Sequence, residues 1–180
     1  MKTRTTGICL LMLFMSLTLF SCNKPDSRSP ASQKSGKFET IISFGSSGNA
    51  KSYSLNGWST PEKDFIWIEG EKGASLSIPI PSFKGEALTL SAKMFPHIIP
   101  GKIKKQTVEI LINGQKAGKW EFTKPGNIEK TLLIPKALIT TDRNLVISFI
   151  TPDAAKARDI GGIDKRILSV AFYNLKIAEK

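Results

Sequence analysis

"TVEILINGQKAGKW", residues 107–120, decides the fold class. Val108, Ile110 and Ile112 recur at every second position, the period of a strand with one buried face. Asn113-Gly114 follows at once. That dipeptide supplies the two positive-φ residues of a type I′ turn, so the chain reverses into an antiparallel partner strand. A two-residue loop pairs Ile112 with Gln115, Ile110 with Ala117 and Val108 with Lys119. Trp120 then falls on the face of Thr107 and Leu111, away from Val108 and Ile110. Two arrangements meet this. Either Trp120 stands on the outer sheet face as an aromatic platform, or a bulge near Ala117-Gly118 returns it to the core.

The same signature recurs along residues 37–180. Leu76, Ile78 and Ile80 alternate in "ASLSIPI", and Leu88, Leu90, Ala92 and Met94 in "ALTLSAKM". Leu145, Ile147 and Phe149 do so in "NLVISF". "FETIISF", "DFIWIEG", "KTLLIP" and the terminal "ILSVAFYNLKI" complete about nine short strands, punctuated by Gly, Pro and Asn. No stretch reads as a long amphipathic helix, although "PKALITT" suits one short helical turn. These 144 residues form one domain with a sizeable core. The fold class is all-β, an antiparallel jelly-roll-like β-sandwich. Its first and last strands are both apolar, which predicts that the chain ends pair in one sheet.

Residues 1–36 are of another kind. Lys2 and Arg4 precede an apolar run from Ile8 to Phe20, 13 residues broken only by Ser16 and Thr18. That is too short for a membrane-spanning helix, which needs about 20 residues, and it fits a secretory signal. Its end, Leu19-Phe20-Ser21-Cys22, resembles the lipobox of bacterial lipoproteins. The resemblance implies a lipoprotein signal peptide over residues 1–21, cleavage before Cys22, and acyl chains on that cysteine. Several chains anchor stably where one would not. Residues 22–36 then form a lipidated tether. "NKPDSRSPASQKSG" has only Ala31 as an apolar residue and is expected to be disordered, with a reach of roughly 20 Å. Asn23, rather than Asp, follows the cysteine. In Gram-negative lipoproteins this leans towards the outer membrane, facing the periplasm.

With Cys9 in the signal and Cys22 acylated, residues 37–180 hold no cysteine. They offer no disulfide framework, thiol nucleophile or Cys-based zinc site. The chain carries +11, and removal of Lys2 and Arg4 takes two charges away, leaving +9. Such a field attracts carboxylate- or phosphate-rich polymers. An exported protein does not meet cytoplasmic nucleic acid, so an envelope glycan or anionic polymer is the expected partner, beside the membrane itself through Cys22. A merely solvated basic surface is the plainer alternative.

"NGWSTPEKDFIWIEG", residues 56–70, holds two of the three tryptophans, Trp58 and Trp67. The element Gly57-Trp58-Ser59-x-Pro61-Glu62, then Trp67, Asn113-Gly114, Trp120, and Asp164-x-Arg166-x-Leu168 form a series. It resembles an uncharacterised jelly-roll-like β-sandwich domain of bacterial envelope proteins, of the kind appended to envelope glycosyltransferases and phosphoglycerol transferases. The resemblance spans nearly all of residues 37–180. It implies a sandwich without its own catalysis in an envelope-glycan setting.

Two readings of the paired tryptophans stay open. An indole can seal one end of a sandwich, its N–H bonded to backbone or to Glu62. Alternatively, an exposed indole stacks on a sugar ring while a carboxylate binds hydroxyl pairs. The candidate ligand-binding set is Trp58, Glu62, Asp64, Trp67, Trp120 and Arg166. At least one of Trp58 and Trp67 is expected to be buried, with Pro61-Glu62 as a rim beside it.

No catalytic constellation is legible. His97 is the one histidine, in "MFPHIIPG", and no Gly-x-Ser-x-Gly element accompanies it. One His without Cys disfavours zinc. Asp159 and Asp164 flank a Gly-Gly turn, a weak calcium signal. No metal ligand, cofactor or catalytic residue is assigned. The expected function is a non-catalytic, lipid-anchored envelope protein with a carbohydrate-binding-like module for envelope polysaccharide. The alternatives are a protein-docking subunit of an envelope assembly machine and, further off, a glycan-modifying enzyme.

Overall fold

The computed structural model describes residues 37–81, 83–139, 144–156 and 164–180. Residues 1–36, with the expected signal segment, Cys22 and the expected tether, and Asp159 lie outside the described residues. Eleven strands are described, in place of the nine expected: β1 (Glu39–Ser43), β2 (Ser54–Asn56), β3 (Ile66–Glu69), β4 (Ala74–Pro79), β5 (Ala87–Pro96), β6 (Gln106–Ile112), β7 (Gln115–Phe122), β8 (Ile128–Pro135), β9 (Asn144–Ile150), β10 (Ala155–Lys156) and β11 (Ile167–Glu179). The additional ones, β2 and β10, span three and two residues, too short to show a period. The helical turn expected in "PKALITT" is a 3-10 turn at Lys136–Leu138.

The strands form an antiparallel jelly-roll-like sandwich. One sheet has the order β1-β11-β5-β8, with β3 and β10 also pairing β11; the other runs β2-β4-β9-β6-β7. The chain ends do pair, Glu39 with Ala178 through Ser43 with Asn174. The 13-residue β11 is the spine of the first sheet. β1 and β3 share one of its edges in succession, at 174–178 and 168–172. Two bulges interrupt its ladders, between Leu168 and Ala171 against β3 and between Phe172 and Asn174 against β5.

The core lies between the sheets. Leu88, Leu90 and Met94 from β5, and Phe172, Leu175 and Ile177 from β11, meet Leu76, Ile78, Ile110, Ile112, Leu145, Ile147 and Phe149 from the second sheet, all without solvent exposure. Each such side chain contributes about 1.5–3 kcal/mol on burial. The alternation that marked these strands in sequence is therefore the alternation of core and outer faces.

The 113–114 turn has the expected backbone, with φ 49° at Asn113 and 80° at Gly114. The bulge arrangement holds for Trp120. Leu111 pairs with Lys116 and Ile110 with Gly118, so Ala117 is the extra residue and Trp120 comes to lie opposite Val108. Trp120 is 4% exposed and its ring stacks on Phe149 at 6.4 Å.

Candidate functional site

β5 organises the candidate site. Its core positions leave Thr89, Ser91, Lys93 and Phe95 on the outer face, each half-buried. Pairing on both sides sets their neighbours. Ser91 lies between Thr131 and Lys176, and Lys93 between Glu129 and Asn174. Phe95 pairs with Ala171, which pairs in turn with Trp67.

The first two rows enclose a polar groove of about 210 Å³, lined by Ser91, Lys93, Glu129, Thr131, Asn174 and Lys176, with Ala92 contributing to its floor. The Ser91 and Thr131 hydroxyls are 3.3 Å apart. Lys176 Nζ is fixed by Glu39 Oε2 at 2.7 Å. Lys93 Nζ lies over the Tyr173 ring, 5.8 Å from its centroid. Tyr173 reaches this position because it is the extra residue of the β11 bulge against β5.

An aromatic strip begins at Tyr173. Its ring lies 5.3 Å from Phe65, which lies 5.9 Å from Trp67. Trp67 in turn meets Phe95 at 6.2 Å and His97 at 5.9 Å. Every interplanar angle is steep, from 63° to 86°, the edge-to-face geometry that ring quadrupoles favour. Trp67 forms a small apolar cluster with Leu168 and Ala171, separate from the main core. It is 9% exposed, so the rings that reach solvent are Phe65, Phe95 and Tyr173.

The segment before β3 frames this strip. Gly57 has φ 76°, and a Cβ there would collide with the Gly73 carbonyl oxygen. The Ser59 amide donates to the Trp67 carbonyl at 3.0 Å, and Ser59 Oγ accepts from the Trp67 amide at 3.3 Å. The Glu62 amide closes a tight loop on the Phe65 carbonyl at 2.9 Å. Beyond it, Arg166 joins two carboxylates: Nη2 lies 2.7 Å from Asp164 Oδ2 and 3.3 Å from Glu62 Oε1. The Arg166 backbone amide also donates to Asp164 Oδ1 at 2.9 Å. Hydrogen bonds from the Arg166 side chain, then from its backbone, hold the Asp164 carboxyl down at about 2. The Arg166 guanidinium is raised in return, chiefly by Asp164.

Of the six candidate ligand residues, the fold joins Glu62 and Arg166 and places Trp67 in the adjoining strip. Asp64 is exposed and makes no ion pair among the described residues. Trp120 requires correction as a surface platform, because it is 4% exposed and lies in the core, whereas Trp58 is half-buried and packs against that core. Trp58 donates its Nε1–H to the Ser75 carbonyl at 3.0 Å, and its ring packs on Phe44, Phe172 and Phe149. Trp67 is the largely buried partner, although under an outer-face cluster and not in the main core. The groove residues and Phe65, Phe95 and Tyr173 were missed. One signal for them was present: the off-core positions of "ALTLSAKMFP" pass from Thr89, Ser91 and Lys93 to Phe95. Among the described residues, no group of three or more His, Cys, Asp or Glu side chains could hold a metal ion.

No protein-family model matches the chain, and no curated protein matches its sequence. Solved structures are similar to it. The CBM36-1 domain of a multidomain xylanase from the hindgut metagenome of Trinervitermes trinervoides is 14% identical, with a TM-score of 0.50 over 79% of this chain and 98% of that one. The CBM22-1 xylan-binding domain of Paenibacillus barcinonensis Xyn10C is 12% identical, with a TM-score of 0.47 over 77% and 92%. A carbohydrate-binding module CBM36 in complex with calcium and xylotriose is 12% identical, with a TM-score of 0.46 over 77% and 98%.

Proposed function

We propose that this protein is a lipid-anchored envelope protein that binds envelope polysaccharide on the outer face of its first sheet, without chemistry of its own. One observation carries the reading: a polar groove and an aromatic strip meet at Tyr173 on one sheet face. Hydroxyl, amide and charged groups in the groove suit sugar hydroxyls, and the half-buried rings suit the apolar faces of sugar rings. From Thr89 to Phe95 the face runs roughly 20 Å, enough for several consecutive residues of a polymer. The likeness to a xylanase CBM36-1 domain supports the scaffold for such a role.

The anchor and location rest on the sequence of residues 1–23, which favours acylation at Cys22 and an outer-membrane position facing the periplasm. The described chain enters the sandwich at Lys37, whose Nζ donates to the Lys180 carbonyl at 3.3 Å. That pole is at the far end of β11 from Leu168, Ala171 and Trp67.

A glycan array probed with the full-length protein tests the reading, with binding weakened by Tyr173→Ala and Phe65→Ala. Docking to an envelope protein is the second reading. It is favoured by Ile41 and Leu133, 53% and 48% exposed, which sit at opposite edges of the same outer face. A blank array together with capture of a defined envelope protein would put docking first.

A further inference from the structure

Lys93 is the cation of the groove that no carboxylate holds among the described residues. Lys176, the other lining cation, is engaged by Glu39 at 2.7 Å. Glu129 stands directly across the strand pair from Lys93, yet the Lys93 ammonium lies instead over Tyr173, 5.8 Å from the ring centroid. An ammonium has three N–H donors, and a ring face answers its charge without satisfying them. A neutral sugar lowered onto this half-buried group would strip its water and return little. An anionic oxygen would replace that water with a charge-assisted hydrogen bond.

We infer that the groove selects an acid-bearing sugar, whose anionic group takes Lys93 while its ring hydroxyls meet Ser91, Thr131 and Asn174. The inference rests on the polysaccharide reading above and names the ligand class of the same face. Glu129 orients the ligand by repelling the acid from the opposite wall. Tyr173, beneath the Lys93 ammonium, is also where the aromatic strip begins. The sugar that carries the acid is therefore the one at the junction of groove and strip. A carboxylate on a uronic acid and a phosphate on a sugar share this chemistry, and the test separates them.

The test titrates the full-length protein with polygalacturonate, alginate and hyaluronan, each beside its carboxyl methyl ester, and with a phosphorylated mannan beside its dephosphorylated form. Lys93→Met and Glu129→Gln are compared with the wild type; both positions are on the outer face, so the fold is retained. The wild type is expected to favour at least one acidic form over its neutral partner by roughly tenfold, an advantage that Lys93→Met reduces to about twofold or less. Glu129→Gln is expected to tighten binding of the acidic form alone, and added salt to weaken it. The pair that shows the preference identifies carboxylate or phosphate. Equal binding of acidic and neutral forms would overturn the inference and leave the polysaccharide reading standing. A preference that survives Lys93→Met would also overturn it, because the overall positive field and not the groove would then be responsible. Failure of every acidic and neutral glycan to bind would overturn both.

Discussion

Asn113 and Val146 exchange two hydrogen bonds. The Asn113 amide donates to the Val146 carbonyl at 2.8 Å, and the Val146 amide donates to Asn113 Oδ1 at 3.0 Å. The same side chain donates from Nδ2 to the Leu138 carbonyl at 2.9 Å. The first residue of the 113–114 turn thus extends the β6–β9 ladder past the end of β6 and ties it to the 3-10 turn after β8.

Asn113→Gly keeps the positive φ and loses the side-chain bonds, so it is expected to cost about 1–2 kcal/mol. Gly114→Val tests the turn separately. Nothing lies within 4 Å of a Cβ built at Gly114, and its φ is 80°, so the cost is backbone strain alone, about 1–3 kcal/mol. Urea midpoints of the full-length protein decide both. An unchanged midpoint for Asn113→Gly would mean that the side-chain bonds to Val146 and Leu138 contribute nothing.

The three tryptophans should separate in stability measurements. Trp120→Ala is expected to cost about 3–5 kcal/mol by opening a cavity against Phe149. Trp120→Phe is expected to cost much less, below about 1.5 kcal/mol, because the buried Nε1–H has no partner among the described residues and its removal relieves an unmet donor. Trp58→Phe loses a bonded donor and leaves the Ser75 carbonyl open, so it should cost more than Trp120→Phe. The reverse order in thermal melts would contradict these placements.

Fold and site differ in how far sequence reveals them, for physical reasons. The period-2 runs that became β4, β5, β6 and β9 were visible because one face is core and the other is not. The Asn-Gly turn was visible because both positions require positive φ. β3 hid its geometry: Ile66, Trp67 and Ile68 are all buried, since Trp67 enters an outer cluster while its neighbours enter the core. Bulges insert one residue without changing composition. "AFYNLKI" therefore gave no sign that Tyr173 would move out over Lys93. Ala117-Gly118 carried a hint only through its glycine. The groove depends on register between β5, β8 and β11, strands distant in the chain, and no local pattern encodes that pairing.

The Arg166 trio has a defined pH signature. Asp164 is depressed from 3.8 to about 2, so its stabilising contribution is fully present above pH 3.8 and is lost as pH falls through about 2. Arg166→Met should return the Asp164 titration, followed by NMR of its carboxyl carbon, towards 3.8 and flatten the acid limb of stability between these values. A titration unmoved by the substitution would mean that the Arg166 side chain is not the cause.

Cys22→Ser should yield an unprocessed precursor without lipid, because the sulfur is the proposed acyl site. Intact-mass measurement of protein from the bacterial envelope checks this. Wild-type protein cleaved elsewhere and free of lipid would contradict it.

Polysaccharide binding is proposed for one face of the first sheet. The most direct measurement is an amide-resolved NMR titration of the full-length protein with the tightest glycan from the array. Shifts are expected to be confined to the outer face of the first sheet, centred on Ser91, Lys93, Phe95, Thr131, Tyr173 and Asn174, and abolished by Tyr173→Ala with the fold intact. Shifts centred on the second sheet, or an array that stays blank for the wild type, would contradict it.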